Sequence, residues 1–336
     1  MIFFWATFIV SAGACWLIMF PAIRLLIHLN FIDRPNARSS HSVPVARGGG
    51  VVIVAFILGA LLVLVGSPGV TTQGLALPLL GVAATSFWDD FRPLDARIRF
   101  SVHVAAAICA TMWLGMDAFS SLPGGEAVMM LLCIVWIAGY TNAFNFMDGA
   151  NGLAGGQTAI TALGSALIGR LAGVPWDHPA VVICVILGGA ALGFLPHNFP
   201  VARVFLGDVG SASLGFLLAV LVLWLTRDGG SRLLVPLALL HANFFLDTGV
   251  TLLRRIFRRE RWYEAHREHF YQLMIRAGRT HGFVSGSELL LQLLVLGMMI
   301  AYLVVPPSVR FELVILVIAL WVGFFAYAES LRSRHL

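Results

Sequence analysis

The chain has 336 residues, of which 59% are hydrophobic and 12% charged, with a mean hydropathy of +0.88 and a formal net charge of +5. Soluble domains carry about 25% charged residues, so this composition excludes a water-facing globule, and it equally excludes a disordered chain or a secreted disulfide scaffold. A bilayer-spanning helix needs about 20 apolar residues, which leaves room here for many crossings.

In chain order, apolar runs predict about eleven spans, near 3–29, 48–66, 74–88, 98–115, 126–142, 153–172, 179–195, 209–226, 232–256, 286–305 and 311–330. Gly and Pro are scattered through the runs and no period-two alternation appears, so the spans are helices rather than barrel strands. The expected fold is all-α: a polytopic integral membrane bundle of 10–11 transmembrane helices, with 1–336 as a single catalytic domain. The first run begins at Ile2 without a basic leader or a small-x-small cleavage site and is expected to be a retained span. Cys15, Cys109, Cys133 and Cys184 sit inside apolar runs and read as small hydrophobes. No internal repeat is visible, which removes one argument for a transporter.

All 22 cations are arginine, and they fall unevenly between the alternating loops, 18 on one side and 4 on the other. The positive-inside rule makes the rich side cytoplasmic, the N-terminus periplasmic and the C-terminus cytoplasmic. Loops on the poor side are plain turns. Every loop holding a cluster of acids, amides or histidines lies on the rich side, including 254–285, a long basic segment expected to cover the active site.

The first rich loop carries Asp33, Arg34, Asn36, Arg38 and His41, then Arg47-Gly48-Gly49-Gly50 opening the next helix. Arginines beside a glycine-rich helix start could bind phosphate through guanidinium forks and free N–H groups; the plainer alternative is a basic loop with a turn. The second holds Asp89-Asp90, with Arg97 and Arg99 beyond. Adjacent carboxylates suit a hard divalent ion, or simply balance their own arginines. The third, from Asn142 to Leu153, spaces amides and a carboxylate every three residues at Asn142, Asn145, Asp148 and Asn151, with no arginine beside Asp148. An Asx-rich turn is the alternative. The fourth, Phe205-Leu206-Gly207-Asp208-Val209-Gly210-Ser211, sets Asp208 at a helix start, where an N-cap is the plainer role. The fifth contains His266-Arg267-Glu268-His269; a basic helix on anionic lipid is compatible with it. Inside the spans, His103 reads as a packing histidine. Asn243 and Asp247 share a helix face, and Asp247 should face the bundle and pair.

In order, Asp33-x-Pro35-Asn36-x-Arg38-x-x-His41 with Gly48-Gly49, Asp89-Asp90, Asn142-x-x-Asn145-x-x-Asp148-Gly149-x-Asn151-Gly152 and Phe205-x-Gly207-Asp208-x-Gly210-Ser211 resemble the polyprenyl-phosphate N-acetylhexosamine-1-phosphate transferases (glycosyltransferase family 4). These include the MraY, WecA and WbpL proteins, and the similarity runs from about 33 to 280. The resemblance implies that a lipid phosphate attacks the β-phosphorus of a UDP-N-acetyl sugar, releasing UMP, with Mg²⁺, or Mn²⁺ in its place, as cofactor. The implied partners are a UDP-N-acetyl sugar, undecaprenyl phosphate and membrane lipid; no nucleic acid is expected, and dimers occur in the family. By this resemblance Asn145 and Asp208 hold the metal, and Asp208 with Asp89 and Asp90 forms the catalytic set. Asp89-Asp90 would orient or deprotonate the lipid phosphate. Arg38, His41, Arg99, Asp148, Asn151, Arg267 and His269 would contact substrate.

The chain departs from the family where many bacterial members have Asp and it has Asn151, and where a histidine cluster is thinned to His269. Its Ser-Ser-His and Asp-Gly-Ala-Asn-Gly spellings look most like the WbpL branch, which starts O-antigen or other surface polysaccharide units at the bacterial inner membrane. An ion- or proton-coupled transporter is the rival from another class, with Asp247 as its argument. Transporters place ionisable groups at the midplane near broken helices, whereas these acids gather in loops on one face.

Overall fold

The computed structural model describes residues 2–35, 43–64, 73–115, 125–261 and 266–335. Its helices are α1 (Ile2–His28), α2 (Gly50–Leu64), α3 (Gln73–Phe91), α4 (Ala96–Leu114), α5 (Gly125–Phe146), α6 (Leu153–Leu171), α7 (Pro179–Asn198), α8 (Gly207–Gly229), α9 (Leu234–Leu239), α10 (Ala242–Phe257), α11 (Phe270–Arg276), α12 (His281–Val304) and α13 (Pro307–His335). Every apolar run read from the sequence is helical, but the ninth is broken into α9 and α10, which meet at 67°.

Among the described residues six helices are long and apolar enough to cross a membrane, and the bent pair makes a seventh, against the 10–11 expected. The difference has a physical cause. Helix α2 has 15 residues, while α3, α4 and α6 give positions to Asp89 and Asp90, to Arg97, Arg99 and His103, and to Gln157, Thr158 and Thr161. These helices trade apolar length for polar side chains that the bundle interior and the loop end use.

Helix α8 is the centre of the bundle. It is apolar on all sides from Leu214 to Leu225 and is buried throughout that stretch, as a helix without a polar face must be. Helices α2, α3, α4, α5, α6 and α7 all touch it. The outermost helices keep apolar side chains exposed, including Ile9 and Leu17 on α1 and Ile315 and Val322 on α13. In a bilayer this is the lipid-facing surface.

A bend inside a span frees backbone groups that lipid cannot satisfy. At the α9–α10 break the Leu240 carbonyl accepts from Gln157 Nε2 at 3.0 Å, Thr161 Oγ1 at 3.3 Å and Gln292 Nε2 at 2.7 Å. Two other helices therefore pin the break.

The two ends of the bundle differ in kind. At one end Arg227 donates to the Leu114 carbonyl and pairs with Asp228, and Arg232 donates to the Ala172 carbonyl. At the other end the acid-bearing loops meet. There, two short antiparallel strands, β1 (Ile32–Asp33) and β2 (Val45–Ala46), form a hairpin that the hydropathy reading did not contain. Ala46 also bridges Val204, so the first and fourth loops are joined. The segment 254–285, expected as one loop, includes helix among its described residues: α10 continues to Phe257, α11 lies in its middle and α12 begins at His281.

The starts of α2 and α8 touch through glycine. A Cβ on Gly50 would run into the backbone of Gly210 and the Leu206 carbonyl, while one on Gly59, further along α2, would meet nothing. Overpacking of this kind costs about 1–3 kcal/mol. Gly50→Ala should lower the thermal midpoint of the detergent-solubilised protein, and Gly59→Ala should leave it unchanged or raise it, because alanine is the better helix former.

Candidate active site

The acid cluster is built where the end of α3 meets the start of α8. The first N–H groups of a helix have no partner within it. In α8 they are met by Asp90: its Oδ1 accepts the Asp208 N–H at 2.9 Å and its Oδ2 accepts the Val209 N–H at 3.0 Å. The cap of α8 is thus a carboxylate from another helix, favoured there by the helix dipole. Asp208, expected as a possible N-cap, is freed from that duty.

Two arginines bind this group together. Arg47 Nε lies 2.7 Å from Asp90 Oδ1 and its Nη2 lies 3.2 Å from Asp208 Oδ1. Arg99, one turn into α4, reaches back with Nη1 to Asp89 Oδ2 at 2.6 Å and to Asp208 Oδ2 at 3.6 Å. Asp95 caps α4 through the Arg97 N–H at 2.8 Å, and Leu94 N–H donates to Asp89 Oδ1 at 2.6 Å, which fixes the turn between the helices. The side chains of Asp89 and Asp90 are 4% and 1% exposed, and that of Asp208 is 22% exposed. Of these three carboxylates, Asp208 is the one a ligand can reach.

Asn145, near the end of α5, accepts from Ser211 Oγ at 2.5 Å, and Ser211 lies one turn along α8 from Asp208. The two residues expected to hold a metal therefore converge on the same helix start. Asp148 follows on the turn after α5. Burial, together with the Asp208 carboxylate, pushes its carboxyl well above the usual range, and Arg47 only partly offsets this. Burial also works against the charge on Arg47, and Asp208 and Asp90 more than compensate, holding its guanidinium above its ordinary value.

The cluster thus sets four carboxylates, Asp89, Asp90, Asp148 and Asp208, against the guanidiniums of Arg47 and Arg99. Among the described residues it is short of positive charge, and the raised Asp148 carboxyl reflects this. Its donors are oxygens, the chemistry preferred by a hard divalent cation. Among the described residues no three His, Cys, Asp or Glu side chains form a ready metal cage. Oxygen donors of this kind fit Mg²⁺, which is held by one or two carboxylates and completed by substrate phosphates and water.

The remaining expected residues are placed apart from this cluster. Asn151 Nδ2 donates to the Pro200 carbonyl at 3.2 Å, and its N–H donates to His281 Nδ1 at 3.1 Å, so it ties three loops rather than facing the acids. His269 is buried against α5, its ring stacked 5.8 Å from that of Phe146. It reaches the rim through Tyr271, whose hydroxyl donates to the Phe146 carbonyl at 3.0 Å and sits where a Cβ on Gly149 would be. Arg267 has its Nη2 sealed without a partner. Arg38 and His41 lie outside the described residues. His103 behaves as a packing histidine, 3.3 Å from Asn142 Oδ1.

Two residues at the site were not in the expected catalytic, metal or substrate set. Arg47 was read among the arginines beside a glycine-rich helix start, whose guanidinium forks and free N–H groups could bind phosphate, but the N–H groups of Gly49 and Gly50 are taken by the Phe205 and Leu206 carbonyls. What enters the site is the guanidinium, and its only sequence signal was its place immediately before those glycines. His266 lies 4.9 Å from His269, ring to ring; burial first and the His269 ring second push it down to about 4, so it is neutral at pH 7.

Residues 72–226 match the family described as Glycosyl transferase family 4, a stretch that contains Asp89, Asp90, Asn145, Asp148 and Asp208. The chain is 30% identical over 298 residues to a decaprenyl-phosphate N-acetylglucosaminephosphotransferase of Mycobacterium tuberculosis, covering 78% of this chain and 73% of that one. It is 26% identical over 279 residues to a probable undecaprenyl-phosphate N-acetylglucosaminyl 1-phosphate transferase of Bacillus subtilis, covering 79% and 75%. A phospho-N-acetylmuramoyl-pentapeptide-transferase of Trichormus variabilis is 31% identical over 241 residues, covering 66% and 59%. With its helical membrane bundle and its acid cluster in the matched stretch, this chain belongs to glycosyl transferase family 4, a family of polytopic membrane sugar-phosphate transferases.

Proposed function

We propose that the protein transfers N-acetylhexosamine 1-phosphate from a UDP-sugar to undecaprenyl phosphate. A phosphate oxygen of the lipid bonds to the β-phosphorus of the donor, the bond from that phosphorus to the bridging oxygen breaks, and UMP leaves. The observation that carries this reading is Asp208. It is the reachable carboxylate of a buried cluster, set at a helix start beside Asn145 and between two arginines.

Asp208 and Asn145 would hold Mg²⁺, or Mn²⁺ in its place. The ion, when bound, would neutralise the pyrophosphate and the charge developing on UMP. Asp89, gripped by Arg99, orients the lipid phosphate through that half-buried guanidinium, which can exchange a carboxylate for a phosphate oxygen. Asp90 is fully engaged by Arg47 and by two N–H groups of α8, so its part is to position Asp208. Asp148 lines the nucleotide side, Arg267 and His269 would hold the pyrophosphate or sugar, and Arg38 and His41 would add further substrate contacts.

The relatives named above act on N-acetylglucosamine, by their names, or on the muramoyl pentapeptide, which supports an N-acetylated donor. UDP-N-acetylglucosamine is the first candidate. The Ser-Ser-His and Asp-Gly-Ala-Asn-Gly spellings support a WbpL-like role in starting O-antigen or another surface polysaccharide. The distribution of arginines, 18 against 4, supports an active site on the cytoplasmic face of a bacterial inner membrane.

Purified protein given undecaprenyl phosphate, Mg²⁺ and UDP-N-acetylglucosamine should release UMP, and EDTA should stop it. Silence with this donor, with UDP-N-acetylgalactosamine and with the UDP-muramoyl pentapeptide would overturn the proposal. Asp208→Asn should cut turnover by ~100-fold or more and raise the Mg²⁺ concentration needed for half activity; an unchanged metal titration would remove Asp208 from the metal. Arg47→Gln leaves the buried carboxylate of Asp90 without its cation, so both turnover and the thermal midpoint should fall, whereas a residue serving substrate alone would lower only turnover.

A further inference from the structure

Asp247 lies fully buried in the bent span, and the reaction outlined above gives it no part. It shares a face of α10 with Asn243, but the two diverge. Asn243 Nδ2 donates to Gln157 Oε1 at 3.0 Å. Asp247 turns instead to the start of α11: its Oδ1 lies 2.9 Å from His269 Nδ1, and the Phe270 N–H donates to Oδ1 at 3.2 Å and to Oδ2 at 3.0 Å. Thr251 Oγ1 adds a fourth contact, at 3.3 Å from Oδ1.

An ionised carboxylate only accepts, so the His269 nitrogen that faces it carries the proton. The other ring nitrogen, Nε2, is not among the sealed polar atoms, and the Gln272 N–H of the first turn of α11 lies within capping reach of the ring. The ring is held flat between Phe146, at 5.8 Å, and Tyr271, at 6.1 Å, with His266 at 4.9 Å. The carboxylate itself is held by the break in the span, because Gln157, Thr161 and Gln292 anchor the Leu240 carbonyl and so fix the angle of α10. Glu288, also fully buried, is close enough to interact with the Asp247 carboxylate and hydrogen-bonds Asn243.

We propose that Asp247 is the positioning residue of His269: it fixes the ring's orientation and its Nδ1–H form, so that Nε2 is kept as an acceptor for an O–H or N–H group of the nucleotide sugar. The inference rests on the transferase reading for the identity of the ligand, but not for the dyad itself. A carboxylate behind a ligating histidine sets its tautomer in this way in many sites.

The test uses the full-length protein in detergent with ¹⁵N-labelled histidine, the His269 signal being the one lost in His269→Gln. In the wild type this signal should show protonation at Nδ1. Asp247→Asn offers one oxygen where two N–H donors converge, and its amide favours the opposite tautomer, so the signal should move to the Nε2–H form. Kinetically, Asp247→Asn should raise KM for the UDP-sugar roughly tenfold to a hundredfold, with a smaller change in kcat. Adding it to His269→Gln should cost nothing more. A wild-type signal protonated only at Nε2, an unmoved signal in Asp247→Asn, or losses that add in the double variant would each overturn the proposal. If no donor yields UMP, the transferase reading fails while the tautomer measurement still decides the dyad.

Discussion

The carboxylate of Asp90 joins three parts of the chain at one point. It ends α3, it caps α8 through two N–H groups, and it pairs with Arg47 from the loop before α2. Removing a charged group from water is costly unless it is fully paired, and here both oxygens are engaged. The glycine contact between α2 and α8 allows this approach, since a side chain at Gly50 would push the two helix starts apart. The central helix is thereby held at its charged end as well as along its apolar length.

Once Asp90 is satisfied, the rest of the site follows from charge. Asp90 takes the cap that Asp208 would otherwise supply, so Asp208 can face outward. Arg47 and Arg99 are shared among three carboxylates, and Asp148, beside them, has no cation of its own. Among the described residues the excess is met by burial and neighbouring carboxylates holding Asp148 toward its neutral, protonated form. A divalent cation with its own phosphate partners would relieve it, and that is the ligand a nucleotide-sugar transferase brings. Structure and reaction meet in an incomplete charge balance.

A second polar system runs through the membrane interior behind this site. The carbonyl freed at Leu240 is taken by side chains of α6 and α12, and the resulting bend directs Asp247 at α11. The segment carrying His269 is thus attached to the bundle through a buried carboxylate, and to the end of α5 through Tyr271. It is held from two sides.

The helical character of every apolar run was legible because lipid permits few backbone arrangements, and runs of Leu, Val, Ala and Phe satisfy one of them. The gathering of Asp89, Asp90, Asn145 and Asp208 at one end of the bundle was legible for the same reason, because most charges sit near helix ends, with Asp247 inside a span as an exception. Asp89, Asp90, Asn145 and Asp208 could be marked from their spacing, and they do converge. Their division of labour could not. That Asp90 caps a helix more than one hundred residues away in sequence, that Arg47 contributes its side chain rather than its glycine neighbours' N–H groups, and that Asn151 ties loops instead of lining the acid cluster all depend on which loop ends meet. The break within the ninth run was likewise invisible, because Leu240 and His241 lie in a continuous apolar stretch and only the donors on α6 and α12 make a bend there affordable. Hydropathy and spacing are local and survive in the sequence; pairing partners are set by long-range packing, which places each carboxylate beside a cation, an N–H group or an open cleft.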